Sequence, residues 1–395
     1  MNDAFIVSGA RTPVGKFGGS FKDISAPKLG AIAIKTALDR ANIAPALIDE
    51  VIMGNAMQSA EAGYAARLSA LLAGIPEDIP TVAINRQCSS GLEAINMGAH
   101  MIKAGEASIV VAGGTENMSQ TPYLLNYKAR FDGLRMGDST LVDGLTEGLG
   151  CPVNRYHMGV TAENVAERFQ ISRSDQDELA VLSHSRALNA IDKGRFASQI
   201  TEVLVPQRRS DPQKVVADES PREGTTIESL STLPSVFKKN GTVTAGNASS
   251  INDGAAAVVM MSSDKIAELE IIPQLKWVAR GVAGVDPAVM GIGPVPATQK
   301  ALGKAGLTVK DIDIIELNEA FAAQALHCIR ELNLDIDKTN VNGSGISLGH
   351  PVGATGAIMT VKLMEELGRS NGTIGLATMC VGGGQGVASI FERVN

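Results

Sequence analysis

Residues 89–114, SSGLEAINMGAHMIKAGEASIVVAGG, and residues 354–379, ATGAIMTVKLMEELGRSNGTIGLATM, run the same course. Each has a glycine near the opening of a helix, apolar residues at helical spacing, a Gly or Asn-Gly stop, and then a buried strand. Upstream in each half, TALDRANIAPALIDEVIMGN (36–55) lies over KALGKAGLTVKDIDIIELNE (300–319), each a helix, a loop and an apolar strand. Two pairs in the same order, both displaced by about 264 residues, point to a duplicated unit. Strands and helices alternate in both copies, so the expected class is α/β, with parallel sheets covered by helices.

Between the copies the sequence changes character. From about Thr121 to Thr244 it shows tight polar turns, a helical stretch from Thr161 to Lys193, and a segment at 207–223 rich in Pro, Ser and charge. This reads as an inserted loop domain. GNASSINDGAAAVVMMSS (246–263) returns to apolar strand, so the first half is expected to close after the insertion. The division is therefore 1–120 with 245–270, then 121–244, then 271–395.

A chain of 395 residues with 44% hydrophobic content and 42 glycines can bury a large core. Its net charge of −7 argues against a general nucleic-acid or anionic-membrane face. The basic residues gather only at 208–239, in Arg208, Arg209, Lys214, Arg222, Lys238 and Lys239. The four cysteines, at 88, 151, 328 and 380, have neither CxxC nor Cys/His ligand spacing. Neither structural zinc nor a disulfide framework is expected. The opening MNDAFIVSGARTPVG reads as strand and turn rather than as a signal, and no apolar run is long enough to span a bilayer. Free thiols fit a reducing compartment, so the expected location is cytoplasmic.

Chemistry concentrates at a few points. Cys88 lies between the strand TVAIN (81–85) and a helix, where free amides and the helix's positive end are expected to favour a thiolate nucleophile. His350, held in the Gly- and Pro-containing turn LGHPVGATG (348–356), can take a thiol proton and donate to an oxyanion. Cys380 ends the last apolar strand before Gly382, Gly383, Gly384 and Gly386, which allow a ligand to approach the backbone. Asn318 ends the strand in IIELNEAF, placed to hold a water or a carbonyl. The glycine runs match neither GxGxxG nor a Walker sequence, so a dinucleotide site is not the reading.

Seven ordered segments together resemble the thiolase family over nearly the whole chain: SGARTPVGKFGGSF, NRQCSSGLEA, HMGVTAENVAERF, GTVTAGNAS, NEAFAAQ, VNGSGISLGHPVGATGA and MCVGGGQGVA. The resemblance implies a thiolase fold, two similar α/β halves in five alternating layers with a loop domain that binds coenzyme A. By the same resemblance Cys88 is the acyl-accepting nucleophile, His350 its base, and Cys380 the acid/base for the α-proton of the second thioester. Asn318 holds a water that, with His350, stabilises the enolate, and the amides of Cys88 and Gly382 form the other oxyanion hole. Arg222, Ser229 and Ser249 resemble coenzyme A contacts. His157, Met158, Met290 and Phe321 resemble the bulky pocket residues of short-chain, acetoacetyl-CoA-type members. Arg86, Gln87 and Gln385 instead match broad-chain members, Ser250 stands where short-chain members commonly have glycine, and Gly148–Arg155 is longer than the usual approach to YHMG.

The implied activity is that of an acetyl-CoA acetyltransferase, joining two acetyl-CoA into acetoacetyl-CoA and CoA, or the reverse, with no tightly bound cofactor or metal. The alternative is a broader-chain 3-ketoacyl-CoA thiolase of fatty acid degradation. A decarboxylating ketosynthase and a silent acyl-CoA-binding subunit are two further readings, and the set Cys88, Asn318, His350 and Cys380 weighs against both. A homotetramer is implied as well, with FDGLRMGDSTLVDG (131–144) joining dimers.

Overall fold

The computed structural model describes residues 2–394. In the first half, β1 (Ala4–Arg11), α1 (Ala26–Ala41), β2 (Glu50–Gly54), α2 (Ala65–Leu72), β3 (Thr81–Ile84), α3 (Ser90–Ala104) and β4 (Ile109–Asn117) follow in order. Two helices of the intervening segment, α4 (Met158–Arg168) and α5 (Arg173–Asp192), precede β5 (Asn252–Ser262). The second half contains β6 (Leu275–Gly284), α6 (Pro294–Ala305), β7 (Ile314–Leu317), α7 (Ala322–Leu332), α8 (Thr355–Ser370), β8 (Ile374–Val381) and β9 (Gln385–Arg393).

The strands lie in the order β3-β2-β4-β5-β1 and then β6-β9-β8-β7. A short antiparallel seam, Phe5 with Lys276 and Ile6 with Leu275, joins the two halves at their edges. β2, β4, β5 and β1 find their counterparts in β7, β8, β9 and β6. The place of β3 is taken in the second half by a single parallel bridge between Ile315 and Thr339.

The sheets are mixed, which corrects the expectation of parallel ones. β2 is parallel to β3 and β4, and β7 to β8. The pairs β4–β5, β5–β1, β8–β9 and β9–β6 are antiparallel. The cause is visible at 382–384: three glycines separate β8 from β9, a connection far too short for a parallel crossover. Gly383 and Gly384, at φ 85° and 89°, make that turn.

Three apolar clusters establish five alternating layers. α1 and α2 cover the outer face of the first sheet through Leu29, Ile34, Leu38 and Ala70. α3 and α8 are sandwiched between the two sheets, where Leu92, Ile95, Ile358 and Val361 meet Ile52 and Val110 on one side and Met379 and Phe391 on the other. α6 and α7 cover the outer face of the second sheet, joined there by Leu179 and Ala180 of α5. A helix between two sheets is buried nearly all round, and α8 shows this from Thr355 through Met364. α3 stops at Gly105 and α8 at Asn371, both left-handed, as the Gly and Asn-Gly signals require.

The N-terminal ends of α3 and α8 meet directly. A Cβ on Gly91 would stand 2.9 Å from the Ala357 nitrogen, and one on Gly356 would collide with the Leu92 backbone. These paired glycines let the ends of two helices from different halves converge, and each helix is preceded by a turn bearing a chemically active side chain.

The expected helical stretch 161–193 is two helices, broken at Phe169–Ser172, where Gln170 turns left-handed at φ 54°. Ser172 opens the second with a reciprocal capping box to Asp175. Among the described residues no helix is long and apolar enough to cross a membrane.

Candidate active site

Cys88 stands between β3 and α3, in a turn tied by its own neighbours. Ser90 donates to the Gln87 carbonyl (2.7 Å) and accepts from the Arg86 amide (2.9 Å). Gln87 is held left-handed at φ 47°, a conformation that costs a non-glycine residue energy. The Cys88 sulfur receives the backbone N–H of Gly382 and its own amide. Gly382 belongs to the turn after β8, so the nucleophile's loop in one half touches the cysteine hairpin of the other. A hydrogen bond from Arg86 to Gln385 (3.0 Å) spans the same junction.

The expected acidic thiol is not found. Burial raises Cys88 from 9.0 to about 11, outweighing the two N–H groups that pull it down, and the Glu116 carboxylate pushes it up further. Burial also raises the Cys380 thiol well above 9.0, with the neighbouring Cys88 and Cys328 adding to it. Cys380 lies wholly buried at the end of β8, packed among Met290, Ala320 and Phe321, with Met158, Phe237 and Ala248 against them.

His350 sits in the turn before α8, its backbone N–H donating to Asn252 Oδ1 at 2.9 Å. Its Nδ1 is 2.6 Å from Thr355 Oγ1, and that hydroxyl is itself 2.9 Å from the Pro351 carbonyl. A hydroxyl has one proton, and a carbonyl can only accept. With Thr355 donating to Pro351, Nδ1–H donates to Thr355. This network assigns the proton to Nδ1 and leaves Nε2 with its lone pair. Burial lowers His350 to about 4, so the ring is neutral and basic at Nε2 around pH 7. Asn318 Nδ2 lies 3.4 Å from that Nε2, while Asn318 Oδ1 is buried with no protein partner among the described residues.

A cavity of about 280 Å³ is lined by Cys88, His350, Gly382, Ser249, His157, Met158, Met290 and Phe321, while Asn318 and Cys380 do not line it. His157 caps α4 through its Nδ1, accepting from the Gly159 amide at 3.0 Å, and stacks on Phe237 at 4.7 Å. Ser249 is fixed by its amide to the Ala320 carbonyl at 3.0 Å. Arg222 and Ser229, which the resemblance assigns to the nucleotide end of coenzyme A, are exposed and do not line the cavity. Arg222 donates its backbone N–H to His184 Nδ1 (3.2 Å), and Ser229 closes a capping box with Thr226.

Phe237, Leu149, Met118 and Val352 also line the cavity, among wall residues that the sequence reading missed. It also missed Thr355 and Asn252, which hold His350. For Leu149 a signal existed, since it lies in the long stretch before YHMG and takes the Met158 amide at 3.0 Å. Among the described residues no three His, Cys, Asp or Glu side chains cluster as metal ligands.

Two protein families match the chain, thiolase N-terminal domain over residues 4–264 and thiolase C-terminal domain over 272–393. The acetyl-CoA acetyltransferase of Cupriavidus necator is 50% identical over 394 residues, covering 100% of both chains. Beta-ketothiolase BktB of the same organism is 49% identical, covering 99% of each. Among solved structures, the Bacillus anthracis acetyl-CoA acetyltransferase superposes with a TM-score of 0.97 at 44% identity, covering 100% of this chain and 99% of that one. Human mitochondrial 3-ketoacyl-CoA thiolase in complex with CoA gives 0.96 at 44% identity, covering 100% and 98%.

Proposed function

Because the chain belongs to the thiolase family, and is therefore an acyltransferase, we propose that it condenses two acetyl-CoA into acetoacetyl-CoA and CoA, and runs the reverse thiolysis. The observation that carries this reading is the convergence of Cys88, His350 and the Gly382 amide on one cavity, with Cys380 buried against its wall.

The proton levels dictate the order of events. With Cys88 near 11 and His350 near 4, no thiolate pre-exists, and His350 Nε2 takes the Cys88 proton only as the sulfur attacks the acetyl carbonyl. The amides of Cys88 and Gly382 receive the developing oxyanion. The departing CoA sulfur needs a proton, and Cys380 supplies it, becoming the base that a thiol so far above 9 could not otherwise be. Cys380 then takes the α-proton of the second acetyl-CoA. The enolate oxygen is met by His350 Nε2–H and by a water on Asn318. Carbon-carbon bond formation expels the Cys88 thiolate, which recovers its proton from His350, while Cys380 ends protonated by the α-proton that replaces the one it gave to CoA.

A two-carbon preference is supported by the side chains crowding the cavity end near Cys380, namely Met158, Met290, Phe237 and Phe321. The broader-chain reading is favoured by one contact, the Arg86–Gln385 bond, which uses residues that resemble broad-chain members. Thiolysis rates across 3-ketoacyl-CoA esters of increasing length separate the two. A steep fall beyond the four-carbon ester is expected, and equal rates at eight carbons would overturn the acetyl preference.

Arg222 and Ser229 remain proposed contacts for the outer, nucleotide end of coenzyme A, consistent with their exposed position. A cytoplasmic homotetramer belongs to the same proposal. Supporting the assembly, the segment around 123–142 exposes Tyr123, Tyr127, Phe131, Leu134, Met136 and Leu141.

A further inference from the structure

Glu116, near the end of β4, is a wholly buried carboxylate that no step above uses. Its Oε1 accepts from Asn55 Nδ2 at 2.8 Å and the Met57 amide at 3.2 Å, and its Oε2 from the Ala56 amide at 2.9 Å and the Gly353 amide at 2.8 Å. The first three donors follow β2 in the first half. The fourth belongs to the loop of the second half that starts at His350. One side chain thus ties the base's loop to the half that carries the nucleophile. A Cβ on Gly353 would come within 2.7 Å of Oε2 and 2.8 Å of the Asn55 Cα, so the close approach requires glycine there.

The duplication sharpens the point. Laying 89–114 over 354–379 and extending the register one residue back pairs Cys88 with Gly353; two residues forward, it pairs Glu116 with Val381, next to Cys380. Where the second half presents a thiol and the Gly382 amide to the nucleophile, the first half presents a carboxylate to the backbone of the histidine loop.

We propose that Glu116 is a positioning residue for acyl transfer, fixing His350 against Cys88 by anchoring the Gly353 amide to the turn at 55–57. The proposal rests on the thiolase reading above. Charge-assisted bonds to several N–H groups are the strongest available to a carboxylate, and a rigid anchor suits a base that must meet a sulfur within a few tenths of an ångström. Burial raises Glu116 to about 7 and the Asp253 carboxylate adds to it, while its three backbone donors hold it down. Glu116 does not line the cavity, so its effect on substrate is indirect.

The test uses the full-length enzyme and the variants Glu116→Gln and Glu116→Asp. Gln turns an NH2 group toward two of the four donors, whichever way it faces, and Asp is a methylene too short to reach both segments. For both, kcat in acetoacetyl-CoA thiolysis is expected to fall about 10- to 100-fold with KM within about twofold of wild type. Ile34→Val, a methyl lost from the outer helix layer, reports what stability loss alone does.

Iodoacetamide alkylation of Cys88, read by mass spectrometry across pH, needs no substrate and stands even if the thiolase reading fails. Its midpoint is expected to move down in Glu116→Gln, which loses the charge, and to stay in Glu116→Asp, which keeps it. Should Glu116→Gln not fold, Asn55→Ala removes one donor and is expected to lower kcat about fivefold. Wild-type kcat in the Glu116 variants, or a midpoint that moves in neither, would overturn the proposal.

Discussion

Replacing Thr355 with valine isolates the assignment of the His350 proton. The side chain keeps its shape and loses the hydroxyl that takes Nδ1–H at 2.6 Å and donates to Pro351 at 2.9 Å. His350 then either keeps its proton on Nδ1 unpaired in a buried site, or moves it to Nε2 and ceases to be a base toward Cys88. A buried donor left without a partner costs about 1–3 kcal/mol. At about 1.4 kcal/mol per decade, acylation of Cys88 should slow about 5- to 150-fold. The assay is single-turnover acetylation by acetyl-CoA followed by intact mass, with circular dichroism confirming the fold. Thr355→Ser restores the hydroxyl and should return the rate to within about twofold of wild type. A valine variant that acylates at the wild-type rate, or a serine variant as slow as the valine, would refute the reasoning.

Alkylation of Cys88 by iodoacetamide in the wild-type enzyme should keep climbing from pH 7 toward about 11, because burial holds the thiol protonated. A plateau near neutrality would show that the helix end outweighs burial after all. Outside the cavity lining, Arg11 grips Asp218 with two bonds of 2.7 and 3.0 Å inside the core. Arg11→Met leaves that carboxylate unpaired and should lower stability in urea by about 3–5 kcal/mol, and a loss under 1 kcal/mol would contradict it.

The duplicated helix-and-strand pattern was readable because buried helices and strands leave periodic apolar marks and are stopped by Gly105 and Asn371. Cys88, His350, Asn318 and Cys380 stood out because each closes or opens such an element. The acidity of Cys88 was read in the wrong direction, since sequence displays the helix that follows but not the sheet and loops that pack around the cysteine. Strand direction was misread because βα alternation overshadowed the three-residue glycine turn at 382–384. Thr355 looked like an ordinary first residue of a helix, and Glu116 like a polar end to a strand. Their partners lie across the duplicated halves, in contacts no local pattern encodes. Arg222 and Ser229 carry no local signal beyond the resemblance, which assigns them to the nucleotide end of coenzyme A, and both stand exposed outside the cavity.

Catalysis turns on a division of labour between two sulfurs brought together from opposite halves, and Cys380→Ala measures it most directly. Incubated with labelled acetyl-CoA, this variant should carry one acetyl group on the Cys88 peptide and form no acetoacetyl-CoA. A folded variant that condenses at the wild-type rate, or one that takes up no label, would contradict the account.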